Sequence, residues 1–237
     1  MRVPRLHLGR RSEAAVEYAH ANVAVGATPW RDARYCVVDL ELTSLDPASG
    51  EIVSFGAVSV DDGRVVAHGA VYGLVRPLRA VPEESVLVHG IRSVDLAEAP
   101  VIDDAMATLL SAMAGRVLVV HAADVERTFL RLPLRRQGAR LREPVLDTQV
   151  LGRLLLAERS GAAPRWLSLA DLVTALGLPS HRPHHALGDA LTTAQAFIAV
   201  ATHLETFGPV TVRSLARAPT RLERLLHYPA VSPHTPT

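Results

Sequence analysis

Apolar residues form three closely spaced runs in the first third of the chain. The runs cover residues 34–42, 51–60 and 64–75, are rich in Val, and are separated by the polar stretches DPASG and DDG. Val favours strands, whereas Asp, Pro, Ser and Gly favour turns. Because strands joined by such short connections usually pair with their neighbours, the pattern predicts an antiparallel three-stranded meander.

After the meander, stretches with the apolar spacing of helices alternate with stretches typical of strands. Residues 101–114 have helical spacing, residues 116–121 form a short apolar strand, and PVLDTQVLGRLLLAER is predicted to be a short strand or turn that runs into a helix. Two further helices are predicted in DVERTFLRLPLRRQG and SLADLVTALGL, which begin at the capping residues Asp124 and Ser168. A long helix is predicted in ALGDALTTAQAFIAVATHLETFG, which ends at Gly208. This order predicts an α/β fold, a mixed sheet flanked by helices.

The two ends of the chain differ from this central region. Residues 1–32 contain the helical pattern SEAAVEYAHANVAV and then the breaker-rich GATPWRD, which predicts a helical extension and a linker. Residues 33–206 are expected to form one domain. Residues 207–237 carry scattered Arg and three Pro near the end, so we expect a C-terminal extension made of a helix and a frayed tail.

Composition is ordinary for a globular domain with extensions. The 237 residues are 49% hydrophobic and 21% charged, and the formal net charge of +1 gives no global bias toward nucleic acid or membrane. The basic residues are all Arg, whose planar fork suits phosphate and carboxylate. Cys36 is expected in the core. No run of 18 apolar residues and no signal-peptide core is present, so a cytoplasmic protein is expected.

Two carboxylates, Asp39 and Glu41, stand at the end of the first apolar run, in YCVVDLELTSL. Alternate residues of a strand point to the same face, with their Cα atoms roughly 6–7 Å apart. Like charges this close repel each other, and burial strengthens the repulsion. The pair therefore requires a compensating positive charge.

Two other stretches combine apolar elements with unusual polar residues, VLVVHAADVERTFL (117–130) and RPHHALGDALTTAQAF (182–197). Each has a structural interpretation. His121 could be a hydrogen-bonded structural residue, Asp124 an N-cap, and Glu126 a first-turn residue that complements the helix dipole. Asp189 could be a solvated charge, and the pair of histidines at 184 and 185 a feature of a loop.

The order and spacing of these motifs resemble the DEDDh family of 3'–5' exonucleases, which includes polymerase proofreading subunits, RNase T and oligoribonuclease. The family motifs D-x-E-T-T-G-L, H-N-A-x-F-D-x-x-F-L and H-x-A-x-x-D-A correspond to DLELTSL, HAADVERTFL and HHALGDA, and VHGI and PVLDT also fall in order. The resemblance covers about residues 33–204. It implies an RNase H-like fold and release of nucleoside 5'-monophosphates from nucleic acid 3' ends.

The resemblance also implies a set of functional residues. Two Mg²⁺ or Mn²⁺ ions would offset the repulsion of the carboxylates, because hard cations prefer oxygen ligands. The implied metal ligands are Asp39, Glu41, Glu126 and Asp189. His184 would be the general base, a role that suits an imidazole near neutral pH. Substrate contacts are implied at Leu42, Thr43, His89 and His121.

The chain departs from the family pattern in both the first and the second motif. Leu42 and Ser44 replace the usual Thr and Gly where the backbone is expected to touch the terminal nucleotide. Ala122 replaces an Asn, which removes a hydrogen bond. Glu126 replaces an Asp; it keeps the charge, and we interpret it as a working substitute, with Asp124 as the rival residue.

Two histidines compete for the role of base. Helical phase favours His185, four residues before Asp189, whereas family spacing selects His184. Pro183 suggests that the helix begins nearby, which would leave His184 in the approaching loop and free of helical phase. We therefore expect His184 to be the base.

Substrate and partners are less defined. The partner is expected to be a nucleic acid 3' end, DNA rather than RNA, and the extensions could bind a polymerase or a second copy of the chain. Arg127, Arg131 and Arg135 recur every four residues, either as a phosphate-facing stripe or as a solvated face. The alternative function is a catalytically degenerate module that binds nucleic acid ends or a protein partner.

Overall fold

The computed structural model describes residues 12–227. They form one five-stranded sheet with helices on both faces. The strands are β1 (Tyr35–Leu42), β2 (Ile52–Asp61), β3 (Arg64–Leu74), β4 (Val117–Val120) and β5 (Val145–Asp147). The helices are α1 (Glu13–His20), α2 (Glu83–His89), α3 (Ile102–Met113), α4 (Ala123–Arg136), α5 (Thr148–Ser160), α6 (Leu169–Leu176), α7 (Ala186–Leu204), α8 (Val212–Ala216) and α9 (Ala218–His227). Short 3-10 turns cover Trp30–Asp32, Ser93–Leu96 and Glu205–Phe207.

Strand order confirms the predicted mixed sheet. The order is β3-β2-β1-β4-β5, in which β1, β2 and β3 form the antiparallel meander, and β4 and β5 run parallel to β1. β1 is thus the central strand, and it is buried on both faces. The carboxyl ends of β1, β4 and β5 lie at the same edge of the sheet, as in other sheets whose ligands bind at that edge.

The side chains of β1 alternate between two apolar cores. Tyr35 and Val37 belong to the core that the sheet forms with α5–α9, whereas Cys36, Val38 and Leu40 belong to the core formed with α1, α3 and α4. Since alternate residues share a face, Asp39 and Glu41 follow Tyr35 and Val37 and point toward α7.

Both extensions contribute to these cores. Tyr18 of α1 is buried in the core beside α3, and Trp30 is buried with residues of α7. In the C-terminal part, Val212 and Leu222 belong to the same core as Trp30, the one that the sheet forms with α5–α9. The predicted N-terminal helix is confirmed over Glu13–His20, and the predicted C-terminal helix is present as α8 and α9. The expected tail at 228–237 lies outside the described residues.

Two details differ from the sequence predictions. Asp124 is not a helix cap: α4 begins one residue earlier, at Ala123, and its N-cap is Ala122, which has left-handed backbone and no capping side chain. The helix α2 was not predicted. Ser168 does cap α6, by accepting a hydrogen bond from the backbone N–H of Asp171, as predicted. Within residues 12–227, no helix is both long enough and apolar enough to cross a bilayer.

Candidate active site

Three carboxylates converge at the carboxyl end of β1. Asp39 and Glu41 lie on one face of the strand, and Asp189 reaches them from the first turn of α7. One carboxylate oxygen from each of the three lies within 4.8 Å of the other two. The strand pair and the third motif, separate in sequence, therefore form one cluster, as the resemblance implied.

A glycine on the neighbouring strand makes this convergence possible. Gly56 of β2 lies directly opposite Asp39 in the antiparallel register. A Cβ atom at Gly56 would lie 2.3 Å from the backbone carbonyl of Ala186, the first residue of α7. Only a residue without a side chain lets the start of α7 rest on β2 and bring Asp189 to the strand. Sequence reasoning missed this residue, although a glycine in the middle of an apolar strand was a signal of close backbone approach.

The turn before α7 holds the two candidate bases differently. His185 is the N-cap residue of α7, and its ring stacks on that of Tyr72 with the centroids 4.5 Å apart. His184 precedes the helix, in left-handed backbone with φ of 59°, and its side chain is exposed. The backbone N–H of His184 donates to Oδ2 of Asp189 over 2.8 Å. His184 thus lies in the approaching turn, as expected, next to the carboxylate cluster.

A second turn, before α4, orients the helix that carries Glu126. Asp147, at the end of β5, accepts hydrogen bonds from the backbone N–H groups of Ala122 and Ala123, each over 3.0 Å. These bonds hold the left-handed residue Ala122 and fix the direction in which α4 begins. Asp147 was quoted in PVLDT as a motif match, but its role in orienting α4 was not foreseen.

Glu126 and Asp124 have opposite environments at the start of α4. The Glu126 side chain is only 4% exposed, and its Oε2 atom has no hydrogen-bond partner in the described part of the chain. Its charge raises the pKa of Asp39, so the two carboxylates are close. Asp124 is exposed, and only its backbone oxygen makes a bond, from the Thr128 hydroxyl. The geometry thus favours Glu126 over Asp124 as the fourth carboxylate.

Burial raises the pKa of every carboxyl group in the cluster, and neighbouring carboxylates raise it further at Asp39, Glu41 and Glu126. Burial, followed by the charges of Glu126, Asp189 and Glu41, raises the pKa of Asp39 well above its ordinary value. Burial and the nearby Asp189 raise the pKa of Glu41 to about 7, and burial raises the pKa of Glu126 to about 8. Burial also raises the pKa of Asp189, against the His184 N–H bond, which lowers it. Without a cation, these groups are unfavourably placed for ionisation.

The four predicted substrate-contact residues fall into two groups. Both ring nitrogens of His121 have partners within the protein, the Thr148 hydroxyl at 2.9 Å and the Leu167 carbonyl at 3.1 Å, so neither is available to a substrate in this arrangement. Thr43 is also buried, and its hydroxyl accepts from the Glu51 N–H over 2.9 Å.

Leu42 and His89 lie closer to the cluster. Leu42 ends β1 directly after Glu41, with a buried side chain. Nδ1 of His89 accepts from the Ile91 N–H over 3.1 Å, whereas its buried Nε2 has no partner among residues 12–227. Burial and the neighbouring His184 lower the pKa of His89, so this imidazole lies close to the candidate base.

The donor set suits a hard divalent cation. Asp39, Glu41 and Asp189 offer only oxygen atoms, the ligands that Mg²⁺ and Mn²⁺ prefer. The unpaired Oε2 of Glu126 adds a buried acceptor that lacks a protein partner beside the cluster. A cation there would satisfy this oxygen and favour ionisation of the four carboxyl groups, whose pKa values burial raises. These residues could therefore bind metal.

The chain is similar to known proteins over most of its length. A protein-family model described as an exonuclease matches residues 36–197. A DNA polymerase III subunit epsilon-like protein of Rhodobacter capsulatus is 36% identical over 195 residues, covering 79% of this chain and 27% of that protein. A PolC-type DNA polymerase III of Thermotoga petrophila is 30% identical over 205 residues, which is 86% of this chain and 14% of that protein.

A solved structure shares the fold. Exonuclease X, in complex with 5' overhanging duplex DNA, superposes with a TM-score of 0.58 and 24% identity, covering 78% of this chain and 98% of that chain. The two curated relatives are much longer than the present chain, which spans less than a third of their length.

Proposed function

Because this chain belongs to the exonuclease family that its residues 36–197 match, we propose that it is a metal-dependent 3'–5' exonuclease. It hydrolyses phosphodiester bonds at nucleic acid 3' ends and releases nucleoside 5'-monophosphates. The observation that carries this proposal is the convergence of Asp39, Glu41 and Asp189 within 4.8 Å, next to the buried and unpaired carboxylate of Glu126. Such a cluster is costly in a stable fold unless it has a use.

The four carboxylates would hold two Mg²⁺ or Mn²⁺ ions. When bound, two such ions stabilise both the attacking and the leaving oxygen of a phosphoryl displacement. The protein's part is to place the ligands: β1 supplies Asp39 and Glu41 from a rigid central strand, and Gly56 lets α7 bring Asp189 against them. Glu126, at the start of the helix whose direction Asp147 fixes, would supply the fourth carboxylate of the metal site and keeps the charge of the Asp that it replaces.

His184 takes the proton from the attacking water. Its backbone is tied to Asp189 by the 2.8 Å hydrogen bond, which keeps the imidazole beside the carboxylate cluster. Its side chain is exposed, so the proton can pass on to solvent. His185 is less suited because its ring is stacked on Tyr72. General-base catalysis of this kind accelerates a reaction by about 10²–10⁴-fold.

Substrate contacts are proposed at the rim of the cluster. The backbone at Leu42 and Thr43 and the side chain of His89, which lies near His184, would contact the terminal nucleotide. We propose DNA rather than RNA as the substrate, since the relatives compared above are named for DNA polymerase III. On this proposal the protein acts in the cytoplasm, where such substrates are found. The catalytic domain is residues 33–206, and the extensions 1–32 and 207–237 serve for contact with a polymerase or with a second copy of the chain.

The proposal is tested by digestion of 5'-labelled single-stranded DNA, duplex DNA and short RNA. The reactions contain EDTA, Mg²⁺ or Mn²⁺, and the Asp189→Asn variant is the matched control. We expect a ladder that shortens from the 3' end, nucleoside 5'-monophosphate as the product, no cleavage in EDTA and none by the variant. Cleavage that resists EDTA would refute the two-metal mechanism. Binding of metal and oligonucleotide without any cleavage would instead identify a catalytically degenerate module.

A further inference from the structure

Arginines recur along the C-terminal helices, beyond the matched family region. Arg213, Arg217, Arg221 and Arg224 follow one another at intervals of four, four and three residues. The backbone N–H of Arg217 donates to the Arg213 carbonyl, and that of Arg221 to the Arg217 carbonyl, each over 3.1 Å, so helical spacing continues from α8 into α9. Residues at such intervals share a helix face.

The four side chains converge on one groove, which we call the arginine groove. It has a volume of about 710 Å³, and its lining is completed by Thr211, Ser214 and Leu225. The hydroxyls of Thr211 and Ser214 are engaged in capping α8. A concave surface to which four arginine side chains contribute is suited to anions, because each guanidinium carries a permanent positive charge and several N–H donors.

The positive charge of the arginine groove is largely unbalanced. Arg221 pairs with Glu158 of α5. Arg213, Arg217 and Arg224 are exposed and make no ion pair within residues 12–227. No acidic residue lines the groove, and the sequence contains no Asp or Glu in residues 1–11 or 228–237. The helix α4 differs, because the first arginine of its predicted stripe, Arg127, pairs with Glu143.

The arginine groove and the carboxylate cluster lie at opposite ends of β1. The N–H of Val212 bonds to the Thr28 carbonyl over 3.0 Å, and the N–H of Trp30 to the Val210 carbonyl over 3.2 Å. The Tyr35 hydroxyl, in turn, donates to the Trp30 carbonyl over 2.8 Å. The groove is therefore attached at the amino end of β1, whereas Asp39 and Glu41 occupy its carboxyl end.

We propose that the arginine groove binds the phosphates of a nucleic acid strand several nucleotides away from the bond that is cleaved. A row of arginines in which Arg213, Arg217 and Arg224 are exposed and have no acidic partner among residues 12–227 matches a regular polyanion. A protein partner docked on a helix face would normally require an apolar stripe, and this groove offers only Leu225. The inference rests on the proposed function, because it takes nucleic acid as the substrate.

The test uses the full chain with the paired change Arg217→Gln and Arg224→Gln, which leaves the Arg221–Glu158 pair intact. The matched control is Arg64→Gln with Arg140→Gln, two exposed arginines that make no ion pair in the described structure. Binding of a labelled 20-nucleotide single strand is measured in EDTA by fluorescence anisotropy over a range of salt. KM and kcat are then measured with Mg²⁺ for the same strand and for a trinucleotide.

We expect the groove variant to bind the 20-nucleotide strand about tenfold more weakly, and the slope of log affinity against log salt to fall by about 2. KM should rise for the long strand, with kcat unchanged for both substrates and KM unchanged for the trinucleotide. Wild-type affinity and an unchanged salt slope would overturn the proposal, as would an equal loss on the trinucleotide. Loss of binding to a polyglutamate peptide with retention of the oligonucleotide would assign the groove to an acidic protein instead.

The two proposals fail separately. The binding measurement needs no cleavage, so a protein that binds through the groove but does not digest DNA refutes only the exonuclease activity. If the protein digests both substrates and the groove variant binds the strand as the wild type does, only the groove proposal is refuted.

Discussion

At its amino end β1 meets side chains whose polar atoms have partners, whereas at its carboxyl end it meets groups that repel one another. Near Tyr35, the ring of Phe197 lies 4.7 Å from the tyrosine ring and 6.0 Å from that of Trp30. The Trp30 indole N–H donates to Glu205 over 2.7 Å, and Arg31 pairs with the same carboxylate over 3.0 Å. Asp39 and Glu41 lie toward the other end of the same eight-residue strand.

The carboxyl end has the opposite character. Four carboxylates share it, the Oε2 atom of Glu126 lacks a partner among the described residues, and the adjoining turns place Ala122 and His184 in left-handed backbone. Buried like charges, unpaired polar atoms and strained backbone are found together at functional sites, and well-packed regions elsewhere offset their cost in stability. The comparison teaches that one strand serves both purposes: its amino end stabilises the fold and its carboxyl end carries the chemistry.

The largest expected effect follows from removing a central carboxylate. Asp39→Ala or Asp189→Ala should lower the cleavage rate by more than about 10³-fold, as for groups that act as a unit. Thermal stability in EDTA should stay the same or rise, because each change removes one repelling charge. Asp104→Ala, an exposed aspartate on α3, is the control. A variant that keeps a sizeable share of wild-type turnover would disprove the assignment of its carboxylate.

The amino end should show the reverse. Trp30→Ala leaves a cavity in a buried aromatic cluster and should lower the free energy of unfolding by about 3–5 kcal/mol. The rate per folded molecule, measured well below the melting temperature, should change little. Trp166→Ala, at a side chain that is 63% exposed, should cost much less. If Trp30→Ala abolished turnover in protein that is still folded, the two ends would not be separable.

The general base gives the next effect in size. His184→Ala should lower kcat by about 10²-fold or more, with the fold and the metal affinity retained. His185→Ala should lower kcat far less, because that residue caps α7 and stacks on Tyr72. The comparison of kcat for the two purified variants decides the assignment, and the reverse ranking would make His185 the base.

Glu126 sharpens the distinction between charge and length. Glu126→Gln removes the charge and should abolish most of the activity. Glu126→Asp keeps the charge and should retain a substantial share, with a change in metal preference, because a contact through water tolerates a shorter side chain. Asp124→Asn is the matched control. Since Asp124 is exposed and does not cap α4, this change should alter neither cleavage nor stability by a measurable amount. If Glu126→Gln were active and Asp124→Asn inactive, Asp124 would be the fourth carboxylate, and the alignment of the second motif would move by two residues.

The smallest effect concerns strain in the turn before α4. Ala122 has φ of 65° and ψ of 64°, a conformation that asparagine tolerates better than alanine. Ala122→Asn should therefore raise the free energy of unfolding by about 0.5–1 kcal/mol, measured by denaturant titration. Ala114→Asn, at an extended residue, provides the comparison. A loss of stability at position 122 would show that the backbone there is not strained.

Much of this organisation was predictable from local pattern. The alternation of β1 placed Asp39 and Glu41 on one face, and Pro183 placed His184 outside the helix, because both inferences depend on residues close together in the chain. The order of the three motifs was sufficient to identify the family and hence the fold.

The remaining features depend on contacts between distant segments. Asp124 was predicted to cap α4, but the start of that helix is set by Asp147, whose carboxylate holds the turn from another strand. The contribution of Gly56 depends on its register with Asp39 and on the approach of α7, neither of which a single strand contains. Local propensity cannot report such tertiary constraints.

The dependence of the site on α7 has a consequence for biosynthesis. During translation the amino-terminal part of a chain emerges and folds first. Asp39 and Glu41 leave the ribosome long before Asp189, and the helix that carries Asp189 takes its place only by resting on Gly56. A nascent chain, or a fragment released early from the ribosome, can complete the sheet yet contains neither the third carboxylate nor His184. On the proposed function, a nascent chain has no complete hydrolytic site until nearly the whole catalytic domain has been made.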